Sequence, residues 1–139
     1  MLDAKIIRQV NTSSPHNHLL EISYQQRKAL PDVLSDPNTL AVVDLARQSL
    51  ATEDLRVMVG TPALKGKELI EVWRTRDAPE KGSFGAIHYR KTDDLLFGQL
   101  RIENGSDSMG NITRDIYQEI RQLQQELAYP HLIRIWNYL

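Results

Sequence analysis

The stretch from Asn111 to Leu139, N-I-T-R-D-I-Y-Q-E-I-R-Q-L-Q-Q-E-L-A-Y-P-H-L-I-R-I-W-N-Y-L, constrains the fold of this chain more than any other. Ile112, Ile116, Ile120, Leu123 and Leu127 recur at steps of four, four, three and four, which lines one face of a helix. Asn111 stands just before them, where a short amide can accept from an orphan backbone N–H. Tyr129-Pro130 ends the pattern, because the residue before proline is driven out of the α region. The spacing therefore predicts a long helix over about 112–128. His131 to Leu139 then reads as a strand rich in Ile, Leu, Trp and Tyr. Period two puts Leu132, Arg134, Trp136 and Tyr138 on one face, and Ile133, Ile135 and Asn137 on the other. Bulky groups on both faces predict a central place in a sheet.

The rest of the chain supplies strands. Met1–Val10 is a short strand or a tail, and Asn11–His18 is a polar loop. Leu19–Tyr24 alternates weakly, and Gln25–Asn38 reads as a loop with one helical turn at most. Thr39–Leu45, Leu55–Val59 and Glu68–Arg74 are strand-like, and Arg76–Ser83 is a charged turn. Phe84–Thr92 and Leu95–Glu103 form a hairpin with Asp93-Asp94 at its tip and Gly85 and Gly98 inside its strands. Strands grouped before one long helix predict an α+β domain: a mostly antiparallel or mixed sheet with the helix on one face. A single domain over 1–139 is expected, with 1–38 partly loop-like.

Composition removes several functions. Lys and Arg number 17 against 18 Asp and Glu, and neither half is a basic arm, so no nucleic-acid partner is expected. With no cysteine there is no disulfide framework and no thiolate chemistry, which fits a reducing, cytoplasmic setting. No apolar run approaches the ~20 residues that cross a bilayer, so no membrane partner is expected.

Few residues offer chemistry. His16 and His18 stand two apart but lack the further ligands that a metal site wants, so no metal is expected. The glycines form no phosphate-binding pattern, and neither Ser49 nor Ser83 has a nucleophile's surroundings. Arg134 lies mid-strand beside Trp136 and Tyr138, and Arg101 ends another strand. A guanidinium framed by aromatic rings suits a carboxylate or phosphate, which its planar fork can grip twice. Pairing with Glu71 or Glu103 across a sheet, or an edge arginine reaching to water, explains the same residues.

The tail Y-P-H-L-I-R-I-W-N-Y-L (129–139) resembles the segment that closes the N-terminal domain of chorismatases, formerly grouped as pteridine-dependent dioxygenase-like proteins. E-V-W-R-T (71–75), G-S-F-G (82–85) and L-L-F-G (95–98) are similar in order and context. The resemblance implies a RidA (YjgF-like) fold and an enzyme that cleaves chorismate to pyruvate and a dihydroxycyclohexadiene carboxylate or hydroxybenzoate. It implies no cofactor, neither metal nor pteridine. It also implies that the catalytic acid and most substrate groups lie in a C-terminal catalytic domain of the same protein. Such enzymes continue past the position of Leu139, so the expectation is a severed N-terminal domain, inactive alone and without catalytic residues of its own. Arg134 and Tyr138 are then the expected contacts to a dicarboxylate substrate, with Trp136 and Asn137 framing the site or packing between domains. The rival reading is a stand-alone RidA-like module that binds a small ligand or forms a homo-oligomer, with imine deamination as its chemistry.

Overall fold

The computed structural model describes residues 2–7, 19–44, 68–100, 102 and 108–137. They form two compact units. One comprises residues 1–10, 81–89 and 93–139, the other residues 11–80 and 90–92.

The first unit is built on a five-stranded sheet backed by a helix. The strands are β1 (Leu2–Ile7), β5 (Glu80–Phe84), β6 (Ile87–Lys91), β7 (Leu95–Leu100) and β8 (Leu132–Asn137), in the order β5-β6-β7-β1-β8. β1 is antiparallel to both neighbours. It runs from Leu2↔Leu100 to Ile7↔Leu95 on one side and from Leu2↔Asn137 to Lys5↔Arg134 on the other, with a register shift between Lys5 and Ile6. The segment read as a strand or a tail is thus the bridge between β7 and β8. The final strand, expected to be central, lies instead at the end of the described sheet. Its bulk on two faces misled the reading. Ile135 packs against the helix cluster, while Leu132, Ile133 and Arg134 are exposed.

The helix α2 covers Met109–Glu126. It starts earlier than Asn111 because Ser108 takes the N-cap, its carbonyl accepting from the Asn111 and Ile112 N–H groups at 3.0 and 3.2 Å. It stops before Pro130 through a left-handed Ala128 (φ 59°). The Tyr129 N–H donates to the Gln124 carbonyl (2.9 Å), and the Ala128 N–H to that of Gln125 (3.4 Å). This is the pairing of a Schellman stop, with alanine where glycine is usual. Ile116, Ile120 and Leu123 bury their side chains with Ile87, Leu96, Leu100 and Tyr129, and Ile112 and Leu127 pack on the margin. Period two along β7 explains the choice, since Leu96 and Leu100 share the helix-facing side.

The second unit carries a separate three-stranded antiparallel sheet, a departure from the single sheet expected. β2 (Leu20–Gln26), β4 (Leu69–Thr75) and β3 (Thr39–Asp44) lie in the order β2-β4-β3. A 3-10 turn (Arg27–Ala29) runs into α1 (Leu30–Ser35), where only one helical turn in a loop was expected. Pro31 suits the first turn, whose N–H groups lack intrahelical partners anyway. Leu30 and Val33 of α1 bury against Val42, Ile70 and Val72.

Two further readings shift. Arg76–Ser83 is a turn only at its start, and β5 follows from Glu80. Gly85 is not inside a strand but in the β5–β6 turn, at φ +55°, and β6 begins at Ile87. The expected strand Leu55–Val59 lies outside the described residues, as do His16, His18, Ser49, Arg101, Glu103 and Tyr138.

Candidate functional site

β8 is the element that the sequence singled out. Arg134 is exposed on it, opposite Lys5 of β1. Trp136 lies two residues on, opposite Asp3, and Asn137 opposite Leu2. Ile135 faces the helix, so Arg134 is carried on the opposite side of the sheet, away from α2. His131 precedes the strand and is exposed, as is His88 on β6. Among the described residues no group of three or more His, Asp or Glu is placed to hold a metal ion.

The stretch E-V-W-R-T has a structural task at almost every position. Glu71 and Trp73 share one face of β4, and the indole Nε1 donates to Glu71 Oε1 at 2.5 Å. Tyr24, opposite Glu71 on β2, also donates to that carboxylate. The bond holds the Tyr24 hydroxyl above its ordinary pKa, because ionising it would place a second negative charge beside Glu71. Val72 is buried in the core beside α1. Arg74 Nε donates to Asp36 Oδ2 at 2.6 Å. Thr75 N–H donates to the Asn38 carbonyl (2.9 Å), and Asn38 Nδ2 returns bonds to the carbonyls of Thr75 (3.0 Å) and Arg76 (2.8 Å). Asp36 Oδ1 meanwhile accepts from the Asn38 N–H at 2.9 Å. That backbone bond, aided by Arg74, holds the Asp36 carboxyl below its ordinary pKa against the opposing effect of burial.

G-S-F-G is likewise architectural. The Tyr89 ring lies over Gly82, where any Cβ would strike it. Glu119 of α2 reaches over Gly85 and accepts from the Ala86 N–H at 2.7 Å, tying the helix to the β5–β6 turn. Sequence reasoning missed Glu119, since it sits off the apolar face of the helix. The signal was Gly85 of the turn, which leaves room for a side chain from elsewhere. A buried ion pair was missed as well: Arg27 Nη2 lies 3.1 Å from Asp44 Oδ2, whose side chain is wholly buried.

These observations define an α+β domain of antiparallel sheets, a helix backing one of them, and an arginine displayed on the last strand. Residues 71–139 match the family described as chorismatase FkbO/Hyg5-like, N-terminal. The chain is 29% identical over 118 residues to a chorismatase of Streptomyces hygroscopicus, covering 82% of this chain and 34% of that protein. It is 33% identical over 91 residues to a chorismatase of Streptomyces rapamycinicus, covering 66% of this chain and 27% of that protein. Through residues 71–139 the chain belongs to the chorismatase family, as its N-terminal domain. It spans about a third of the length of the curated relatives it matches. No solved structure matches it.

Proposed function

We propose that this chain is the N-terminal domain of a longer enzyme that cleaves chorismate to pyruvate and a dihydroxycyclohexadiene carboxylate or hydroxybenzoate. The observation that carries the reading is the family match over residues 71–139, which takes in every stretch singled out in the sequence. In this reading the domain has a RidA-like fold, and its partner is a C-terminal catalytic domain of the same protein. Cleavage begins with protonation of the enol ether by an acid of that partner, and no cofactor is needed. One water is consumed when the product is the dihydroxycyclohexadiene carboxylate and none, net, when it is the hydroxybenzoate. Arg134 grips a substrate carboxylate from the β8 surface with Tyr138 beside it. Trp136 and Asn137 frame the contact or pack between the domains. Arg134 lies exposed on the side of the sheet away from α2, which supports this reading.

Two measurements test it. The 139-residue chain alone, given chorismate, should release no pyruvate; turnover by the chain alone would place the catalytic acid within it. In the longer enzyme, Arg134→Ala should raise KM for chorismate about tenfold or more, the loss of one charge-assisted contact. An unchanged KM removes Arg134 from the substrate.

A further inference from the structure

β2 stands at one end of its sheet among the described residues, and its hydrogen-bonding pattern can be read from its flanks. The Arg27 N–H donates to the Glu68 carbonyl (2.9 Å), and the Arg76 N–H to the Leu19 carbonyl (3.3 Å). Both pairs continue the register that runs from Leu20↔Thr75 to Gln26↔Leu69 without a break. In an antiparallel ladder, bonded and non-bonded pairs alternate. Glu21, Ser23 and Gln25 therefore bond to β4. Leu20, Ile22, Tyr24 and Gln26 turn their backbone N–H and C=O groups away from it.

Among the described residues that outer edge carries few of the usual protections, Glu21 being the one charged side chain of the strand. Within Leu20–Gln26 there is no proline, no lysine and no bulge. Ile22 is 46% exposed and Tyr24 64% exposed, side by side on one face. The Tyr24 hydroxyl donates to Glu71. The strand is also complementary to itself. Placed antiparallel about Ser23, Ile22 meets Tyr24 of the other copy, Leu20 meets Gln26 and Glu21 meets Gln25. No like charges oppose one another, each outward residue finds a partner, and two Ile–Tyr cross-strand pairs cover the exposed side chains.

We propose that β2 is a homodimer edge, where two copies of the chain join their three-stranded sheets across a two-fold axis at Ser23. The inference stands apart from the chorismatase reading and uses none of the residues assigned to substrate.

Sedimentation of the intact chain over tens to hundreds of micromolar tests it. The wild type should approach twice its 16.0 kDa mass. Tyr24→Pro removes an outward N–H and leaves the β4 ladder untouched. The double variant Ile22→Lys/Tyr24→Lys keeps every backbone bond and places charge on the edge, which decides the question if proline disturbs the fold. Each should weaken dimerisation about tenfold or more, with unchanged far-UV circular dichroism. A monomeric wild type, a trimer, or a dimer that survives the lysine pair overturns the proposal.

Discussion

Asp44 and Arg27 form the pair whose loss the second unit should feel most. Asp44 is completely buried at the end of β3, and Arg27 is mostly covered. Asp44→Ala removes a buried carboxylate from beside a mostly covered guanidinium, a loss of about 3–5 kcal/mol by comparison with other broken buried pairs. Urea unfolding would measure it, and a change below 1 kcal/mol would mean that water reaches Arg27 freely. Asp36 sets a pH dependence. Its folded carboxyl titrates below its unfolded value, so its contribution is complete above about pH 4 and is lost as pH falls through the folded value. Asp36→Asn should flatten the acid side of the stability curve, whereas an unaltered curve assigns the acid transition to other carboxylates. Glu119 closes the residue scale. Glu119→Ala removes the acceptor for the Ala86 N–H and should cost about 1 kcal/mol. Gly85→Ala should cost more, because the side chain meets both a positive φ and the Glu119 carboxylate.

At the scale of elements, α2 owes its place to a buried stripe rather than to its caps. Ile120→Asp should prevent cooperative folding of the first unit, since the side chain is 2% exposed at the centre of the cluster. A soluble, cooperatively melting Ile120→Asp variant would contradict that packing. Ala128→Gly should raise stability by about 0.5–1 kcal/mol, relieving a left-handed alanine at the helix stop. The stripe of Ile112 to Leu127 was legible in the sequence because helical periodicity is local. The ends were not: Ser108 and Ala128 act through backbone bonds that spacing does not encode. The β5–β6 turn was missed for a related reason, as Gly85 inside an apolar-polar alternation looks the same whether the strand continues or reverses.

At the scale of the molecule, the antiparallel α+β class followed from strands gathered before one helix. Neither the division into two sheets nor the positions of β1 and β8 followed. Strand order is a matter of long-range pairing, and β1 shows no pattern strong enough to announce that two strands will close around it. Of the candidate site, Arg134 is the residue whose side chain lies among the described ones. The sequence identified β8 and Arg134, and the structure displays Arg134 at the surface. The other familiar stretches turned out to hold turns and strands in place. Glu71 and Arg74 each have partners within the domain, so their presence reflects folding before it reflects chemistry.

The middle place of β1 carries a consequence for synthesis. β1 pairs with strands that begin at Leu95 and Leu132, so during synthesis it must wait for both of these later segments before it can be zipped in on its two sides. A nascent chain arrested before β8 emerges has no mate for one side of that strand. An amino-terminal fusion partner stays tethered beside the seam that closes last.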